Sequence, residues 1–351
     1  MCWAPGEDEN GLPLPHCYSA PDANPSKGAW QRCVGGVNES PADLAHWAHP
    51  AGEFGFLRTC QALWNQKHEG EGVRPYWAWK PDNCSLETVT AAKFCRVMEG
   101  RKGLLLVGDS LTRLFTTTLA SVLRAKTVTA SSNRDIWRAC GDKITITFAR
   151  NDYLDLSTTA FPDQQCKDKN GKPTANTRCT VFAKEETLRL FDTLVVNSGA
   201  HPRPFEEYGP AMRESSRVLS DIMRRLHGDD AILVARNTPP GHSGCTPRVF
   251  KGPVDIDVAT ALAAAGLEKY KWDAFEGYNE LLEKAFDPSG GWNLLDAYSP
   301  TVLRADSHIG GNDCLHYCVP GPADHWVTLL YNILLAETGV DPSDGGEGSS
   351  P

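Results

Sequence analysis

Apolar positions in this chain fall into short unbroken runs, separated by longer stretches of helical spacing. Leu104 to Val107 is a run of buried-strand type, closed by the turn signal Gly108-Asp109. Leu111, Leu114, Phe115, Leu119, Val122 and Leu123 then recur at helical intervals. Lys143–Ala149 alternates as a strand does, and Thr193–Asn197 and Ala231–Ala235 carry buried-strand cores. Glu214–Leu226, Val258–Ala265 and the amphipathic Trp326–Ala336 are predicted helices. Alternating strands and helices imply an α/β fold: a parallel sheet covered on both faces, in three layers, with site loops at the carboxyl ends of the strands.

The outer segments lack this periodicity. Residues 1–27, rich in Pro, Gly, Asp and Asn, read as a flexible arm tethered through Cys2 or Cys17. Residues 28–100 read as a Cys/Trp-rich N-terminal lobe holding Trp30, Cys33, Trp47, Cys60, Trp64, Cys84 and the run Arg74-Pro-Tyr-Trp-Ala-Trp-Lys80. A loop-rich segment of this kind needs staples and a larger core to lean on. Trp77 and Trp79 serve either as anchors on that core or as a sugar platform. Residues 101–340 form the main domain, and 341–351 a flexible acidic tail. Cys166–Cys179 reads as a surface excursion closed by a bridge, and there is no internal repeat.

Composition narrows the function classes. The 351 residues are 41% hydrophobic, which supports a real core and excludes wholesale disorder. A net charge of −9 without a basic cluster removes the electrostatic case for nucleic acid. No apolar run reaches the length of a membrane span, and no signal peptide is visible. Twelve cysteines without a repeated CxxC favour disulfides in a secretory compartment. Asn38-Glu-Ser and Asn83-Cys-Ser are glycosylation acceptor patterns. The expectation is a luminal protein whose targeting segment lies outside this sequence.

The candidate chemistry sits in two places. A buried strand that turns sharply into a helix lifts Ser110 above the sheet edge. Free backbone N–H groups there suit a nucleophile and its oxyanion. The plain alternative is that Asp109 or Ser110 is only a helix N-cap. Near the other end, Asp313 and His316 stand three residues apart, a spacing that puts both side chains on one side of a turn. That is the nucleophile–base–orienter pattern of a hydrolase triad, in the order Ser, Asp, His. Cys314 and Cys318 would fix the loop. Three rival readings are a Cys314-x-His316-x-Cys318 zinc site, Asp306-x-His308 as the working acid–base pair, and a purely structural polar loop. No phosphate-cradling glycine loop is present. The expectation is no metal and no tightly bound cofactor.

Val107-Gly-Asp-Ser-Leu-x-Arg113 together with Asp313-Cys-Leu-His-Tyr-Cys-Val-Pro-Gly-Pro-Ala-Asp-His-Trp326 resembles the PC-esterase group, whose plant members include the trichome-birefringence-like polysaccharide O-acetyltransferases. Tyr76–Leu86 is similar to their Trp- and Cys-bearing block, Leu303–His308 to their Arg-x-Asp-x-His lead-in, and Val196–His201, which ends on His201, to their Asn-x-Gly-His block. The resemblance covers roughly 28 to 338. It implies an SGNH-hydrolase-like α/β/α fold, a Golgi-luminal site, and transfer of acetyl from an acetyl donor to a glycan acceptor. It matches Ser110 to the nucleophile, Asp313 to the orienter, His316 to the base and Asn197 to an oxyanion donor. Arg113 matches the arginine one turn beyond the serine. The chain departs from the family in showing no membrane anchor and in carrying Tyr317 where plant members often have Trp. Gly141 is the candidate for the second-block glycine. Esterase activity with the same triad, and glycan binding without catalysis, are the alternatives.

Overall fold

A computed structural model describes residues 13–19, 22–32, 60, 76–131, 133–156, 182–201, 204–245, 250–265, 271–311 and 313–341. The strands are β1 (Gly28–Arg32), β2 (Trp77–Pro81), β3 (Gly103–Gly108), β4 (Lys126–Thr129), β5 (Arg134–Ala139), β6 (Ile144–Arg150), β7 (Thr193–Val196), β8 (Ile232–Arg236), β9 (Trp292–Leu295), β10 (His308–Gly310) and β11 (Asp313–Tyr317). The helices are α1 (Ala91–Val97), α2 (Ser110–Val122), α3 (Glu185–Leu188), α4 (Phe205–His227), α5 (Ile256–Ala264), α6 (Phe275–Ala285), α7 (Tyr298–Thr301) and α8 (Pro322–Thr338).

The main sheet has seven strands in the order β4-β5-β6-β3-β7-β8-β9. The run from β6 to β9 is parallel, while β5 and β4 add antiparallel pairs at one edge. The α/β/α expectation holds, with this antiparallel edge as an addition. The period of two within β3 explains the layers. Leu104 and Leu106 enter the core shared with Phe115, Leu119, Trp326 and Leu330. Leu105 and Val107 enter the opposite core with Tyr208, Met212, Leu219 and Leu282. All four β3 apolar side chains are fully buried. Truncating any one of them would cost about 2–5 kcal/mol.

The small N-terminal element is an antiparallel β1–β2 pair in which Trp30 faces Trp79. Trp79 takes the anchoring role: it is buried, donates to the Pro25 carbonyl at 2.8 Å, and packs against Trp30 and His325. Trp30 donates to the Pro300 carbonyl at 2.6 Å and lies under the Arg304 guanidinium. The lobe therefore braces the segment that leads into the C-terminal motif. Within the arm expected over 1–27, the described part from residue 13 is tied down by the Cys17–Cys84 disulfide and by a His16–Ser85 bridge. Cys2, Cys33, Trp47, Trp64, Arg74, Asn38, the Cys166–Cys179 excursion and the tail beyond 341 lie outside the described residues.

Candidate active site

Ser110 owes its position to the β3–α2 turn. Gly108 admits no side chain, because a Cβ there would meet Thr112 Oγ1 at 2.3 Å and the Asn197 carbonyl at 2.9 Å. Asp109 is the N-cap of α2: its carboxylate accepts from the Leu111 and Thr112 amides at 2.9 and 3.3 Å. Its other oxygen accepts from the Ala200 amide at 3.1 Å, which holds the β7 exit loop against the serine turn. The capping and nucleophile readings thus fall to adjacent residues and do not compete. Asp109 caps the helix through the Leu111 and Thr112 amides, not through that of Ser110.

The partner groups arrive on β11. His316 Nε2 lies 2.8 Å from Ser110 Oγ. The other ring nitrogen, Nδ1, donates to the Asp313 carboxylate, at 2.9 and 3.0 Å from its two oxygens. Asp313 also accepts the backbone amides of His316 and Leu315 at 3.0 and 3.3 Å. Partial burial works to raise its pKa, but the His316 bond and charge and these two amides overcome it, and the carboxyl sits at about 2. Asp313 is therefore an anion throughout the neutral range. The stability it contributes is complete above the ordinary carboxylate range near 4 and is lost as pH falls toward 2.

Strand β11 is held from several sides. Cys314 is bonded to Cys245, and Cys318 to Cys60. The His242 amide donates to the Cys314 carbonyl at 3.0 Å, and β10 pairs with β11 on the other flank. With both cysteines in disulfides, the zinc reading of Cys314-x-His316-x-Cys318 is overturned, and among the described residues no group of three or more His, Cys, Asp or Glu could hold a metal ion. All eight cysteines in the described residues are paired. The Cys245–Cys314 bridge closes a separation of 69 residues, worth about 4 kcal/mol in the chain-entropy picture. Replacing both by serine is expected to lower the thermal midpoint by several degrees and to cut turnover more than the reduced stability alone explains. Thermal unfolding and steady-state rates measured side by side check this.

Several expected residues stand elsewhere. Asp306 does not pair with His308. It forms a bidentate, fully buried ion pair with Arg304, at 2.7 and 3.0 Å. The rival acid–base pair is thereby removed. Asn197 does not face the serine: both protons of its amide are donated inward, to the Arg236 carbonyl and Thr238 Oγ1 at 2.8 Å each, while its oxygen accepts from Thr112. It knots β7 to β8 beneath the site. Arg113 binds the buried Asp135 of β5 with Nε at 2.7 Å and so fastens α2 to the sheet edge. Gly141 precedes β6 in a left-handed turn and lies at the amino edge of the parallel strands, opposite Ser110. It is not an oxyanion-hole residue. His201 lies on the correct edge, with Nε2 3.9 Å from the buried Asp152. Burial raises the Asp152 pKa against the pull of Arg150.

Two buried groups escape a reading of the sequence alone. Arg236, at the end of β8, is fully buried, donates to Thr112 Oγ1 at 3.2 Å, and lies over Trp326. Desolvation lowers its pKa to about 10, opposed by the charge of Asp109. His242 contacts His308 at 2.7 Å. The nearby Cys245 is the only sequence cue to this loop, and it says nothing of the histidine's partner.

Residues 290–333 match the PC-esterase family, described as a GDSL/SGNH-like acyl-esterase family found in Pmr5 and Cas1p. Protein trichome birefringence-like 12 of Arabidopsis thaliana is 23% identical over 80% of this chain and 79% of its own length. Xyloglucan O-acetyltransferase 1 of Arabidopsis thaliana is 24% identical over 74% of this chain and 70% of its own. Probable xylan O-acetyltransferase 11 of Oryza sativa subsp. japonica is 25% identical over 78% of each. The fold and site define a serine-centred α/β protein of SGNH type. The chain resembles the PC-esterase family over residues 290–333 and is similar over most of its length to a trichome birefringence-like protein.

Proposed function

We propose that the protein is a polysaccharide O-acetyltransferase that works through an acetyl-serine. His316 takes the proton from Ser110 Oγ as the serine attacks the carbonyl of an acetyl donor. The Ser110 N–H, at the positive end of α2, receives the oxyanion. The donor's leaving group departs with the proton from His316. A sugar hydroxyl then gives its proton to His316 and attacks the acetyl-serine; the bond to Ser110 Oγ breaks, His316 returns the proton to that oxygen, and the acetyl ester leaves on the glycan. Asp313 holds the imidazole in the tautomer that both steps need. The observation that carries this reading is the continuous Asp313–His316–Ser110 chain, with contacts of 2.9 and 2.8 Å. The names of the relatives supply the glycan acceptor.

An open cavity of about 660 Å3 supports an extended acceptor. It lies on the same sheet edge, past β9, and is lined by Tyr18, Asn24, Lys27, Asp296 and Ser299. Three strand spacings separate β9 from β3, about 14 Å, so a glycan seated there would reach the serine with a unit several sugars away. The disulfides favour an oxidising compartment, and the proposed location is the secretory pathway, in the Golgi lumen. Among the described residues no helix is long and apolar enough to cross a membrane.

The test is intact-protein mass after brief exposure to an activated acetyl ester, followed by a split into buffer with and without mixed glycan oligosaccharides. One acetyl on Ser110 that discharges onto sugar is the expected result. Equal discharge to water in both arms would convert the assignment to an esterase. No adduct on a folded protein would leave glycan binding as its activity.

A further inference from the structure

The histidines beneath the catalytic strand make three contacts that need an N–H, and two neutral imidazoles carry two. His242 Nε2 lies 2.7 Å from the Val302 carbonyl, which only accepts, so that nitrogen bears a proton. His308 Nδ1 lies 3.2 Å from the His316 carbonyl and bears a proton for the same reason. The remaining nitrogens, His242 Nδ1 and His308 Nε2, face each other at 2.7 Å. In two neutral rings both would be lone pairs. A separation that short falls in the range of charge-assisted bonds.

We propose that His242 and His308 share one additional proton, so that this buried pair carries a single positive charge beside the catalytic base, with His242 a positioning residue that acts through His308. This rests on the reading of His316 as the base. The groups around the pair are few. Asp306 and Arg304, already bound to each other, lie on the preceding turn. Asp313 and His316 lie on the catalytic strand, and Tyr317 stacks on the His308 ring at 4.3 Å. The charges of Asp306 and Asp313 favour a proton on His308. Burial opposes it and pulls each ring below the ordinary histidine range, His308 further because His242 is its neighbour. Burial acts most strongly against a second charge. The single shared proton instead replaces two lone pairs pressed together in a dry contact, where an unmade bond is costly.

Two consequences follow for the site. With the third proton in place His308 donates to the His316 carbonyl, and the strand is fixed from below. The added positive charge also lies beside the His316 ring, which turns positive when it takes the Ser110 proton.

His242→Asn in the full chain separates these effects. The amide nitrogen of Asn takes the place of Nδ1 and donates to His308 Nε2 without an extra proton, which removes the charge and keeps the tie to His316. The acid limb of kcat/KM for hydrolysis of a small aryl acetate is expected to move up by about one pH unit, with the plateau changed by less than tenfold. Nitrogen-15 imidazole spectra of the unsubstituted protein are expected to show three N–H protons on this pair at neutral pH. Two singly protonated rings would overturn the shared proton whatever the rate profile does. An acid limb that stays in place would overturn the positioning role. If the variant does not fold, the spectra decide alone. The spectra do not depend on Ser110, whose own failure would appear as aryl acetate turnover surviving its removal.

Discussion

Ser110→Ala is expected to abolish acetyl transfer, with kcat down by about 10^5–10^6, while the thermal midpoint stays within a degree or two. The size follows from the geometry. Ser110 Oγ is the atom that His316 Nε2 addresses at 2.8 Å, and removing it leaves no nucleophile at the α2 N-terminus. The small structural cost follows from the same place. The helix cap is Asp109, so alanine at 110 disturbs neither the Leu111 and Thr112 amides nor the bond to Ala200. Turnover of an aryl acetate, combined with thermal unfolding, checks both parts. Turnover that survives in a folded variant would transfer the nucleophile to another group and end the acetyl-serine mechanism.

The elements most legible in the sequence are those whose environment is uniform. β3, β7 and β8 are buried on both faces, so unbroken apolar runs mark them to within a residue or two. The edge strands leave no such mark. β4 reads Lys-Thr-Val-Thr and is mostly exposed, and β9 has four residues. Helix α4 starts at Phe205, well before the expected Glu214, because Gly209-Pro210 resembles a helix stop. The structure carries the helix through Pro210, with Tyr208 buried and donating to the Ser198 carbonyl.

The site divides in the same way. Ser110, Asp313 and His316 could be grouped because spacing alone puts Asp313 and His316 on one side of a turn, and a strand-to-helix turn presents the serine. The supporting residues could not be assigned, because a residue type does not say where its hydrogen bonds go. Asn197 carries an amide suited to an oxyanion and points it inward. Arg113 carries a cation and gives it to Asp135. His242 is separated from His308 by 66 residues, and only the packed fold brings the two rings together.

Asp313→Asn and Asp306→Asn should fail in opposite ways, and the contrast assigns the orienting acid. Asparagine at 313 keeps the shape but offers the His316 ring an amide. The ring then loses the anion that fixes its tautomer and stabilises the imidazolium, and kcat is expected to fall about 10^4-fold with a smaller loss of stability than in Asp306→Asn. Asp313 is partly exposed, at 40% for the side chain, so its loss uncovers no buried charge. Asp306 is the reverse case. Its side chain and that of Arg304 are 3% and 1% exposed, and the guanidinium lies on the Trp30 ring that joins the small lobe to the main domain. Removing the carboxylate leaves a buried cation unpaired, at a cost of about 3–5 kcal/mol. Asp306→Asn should therefore lower the unfolding midpoint markedly, yet retain most of its kcat at a temperature where it is folded. Denaturant unfolding and aryl acetate turnover on both variants give the comparison. A larger loss of kcat in folded Asp306→Asn than in Asp313→Asn would reassign the orienting role and return His308 to the place of the base.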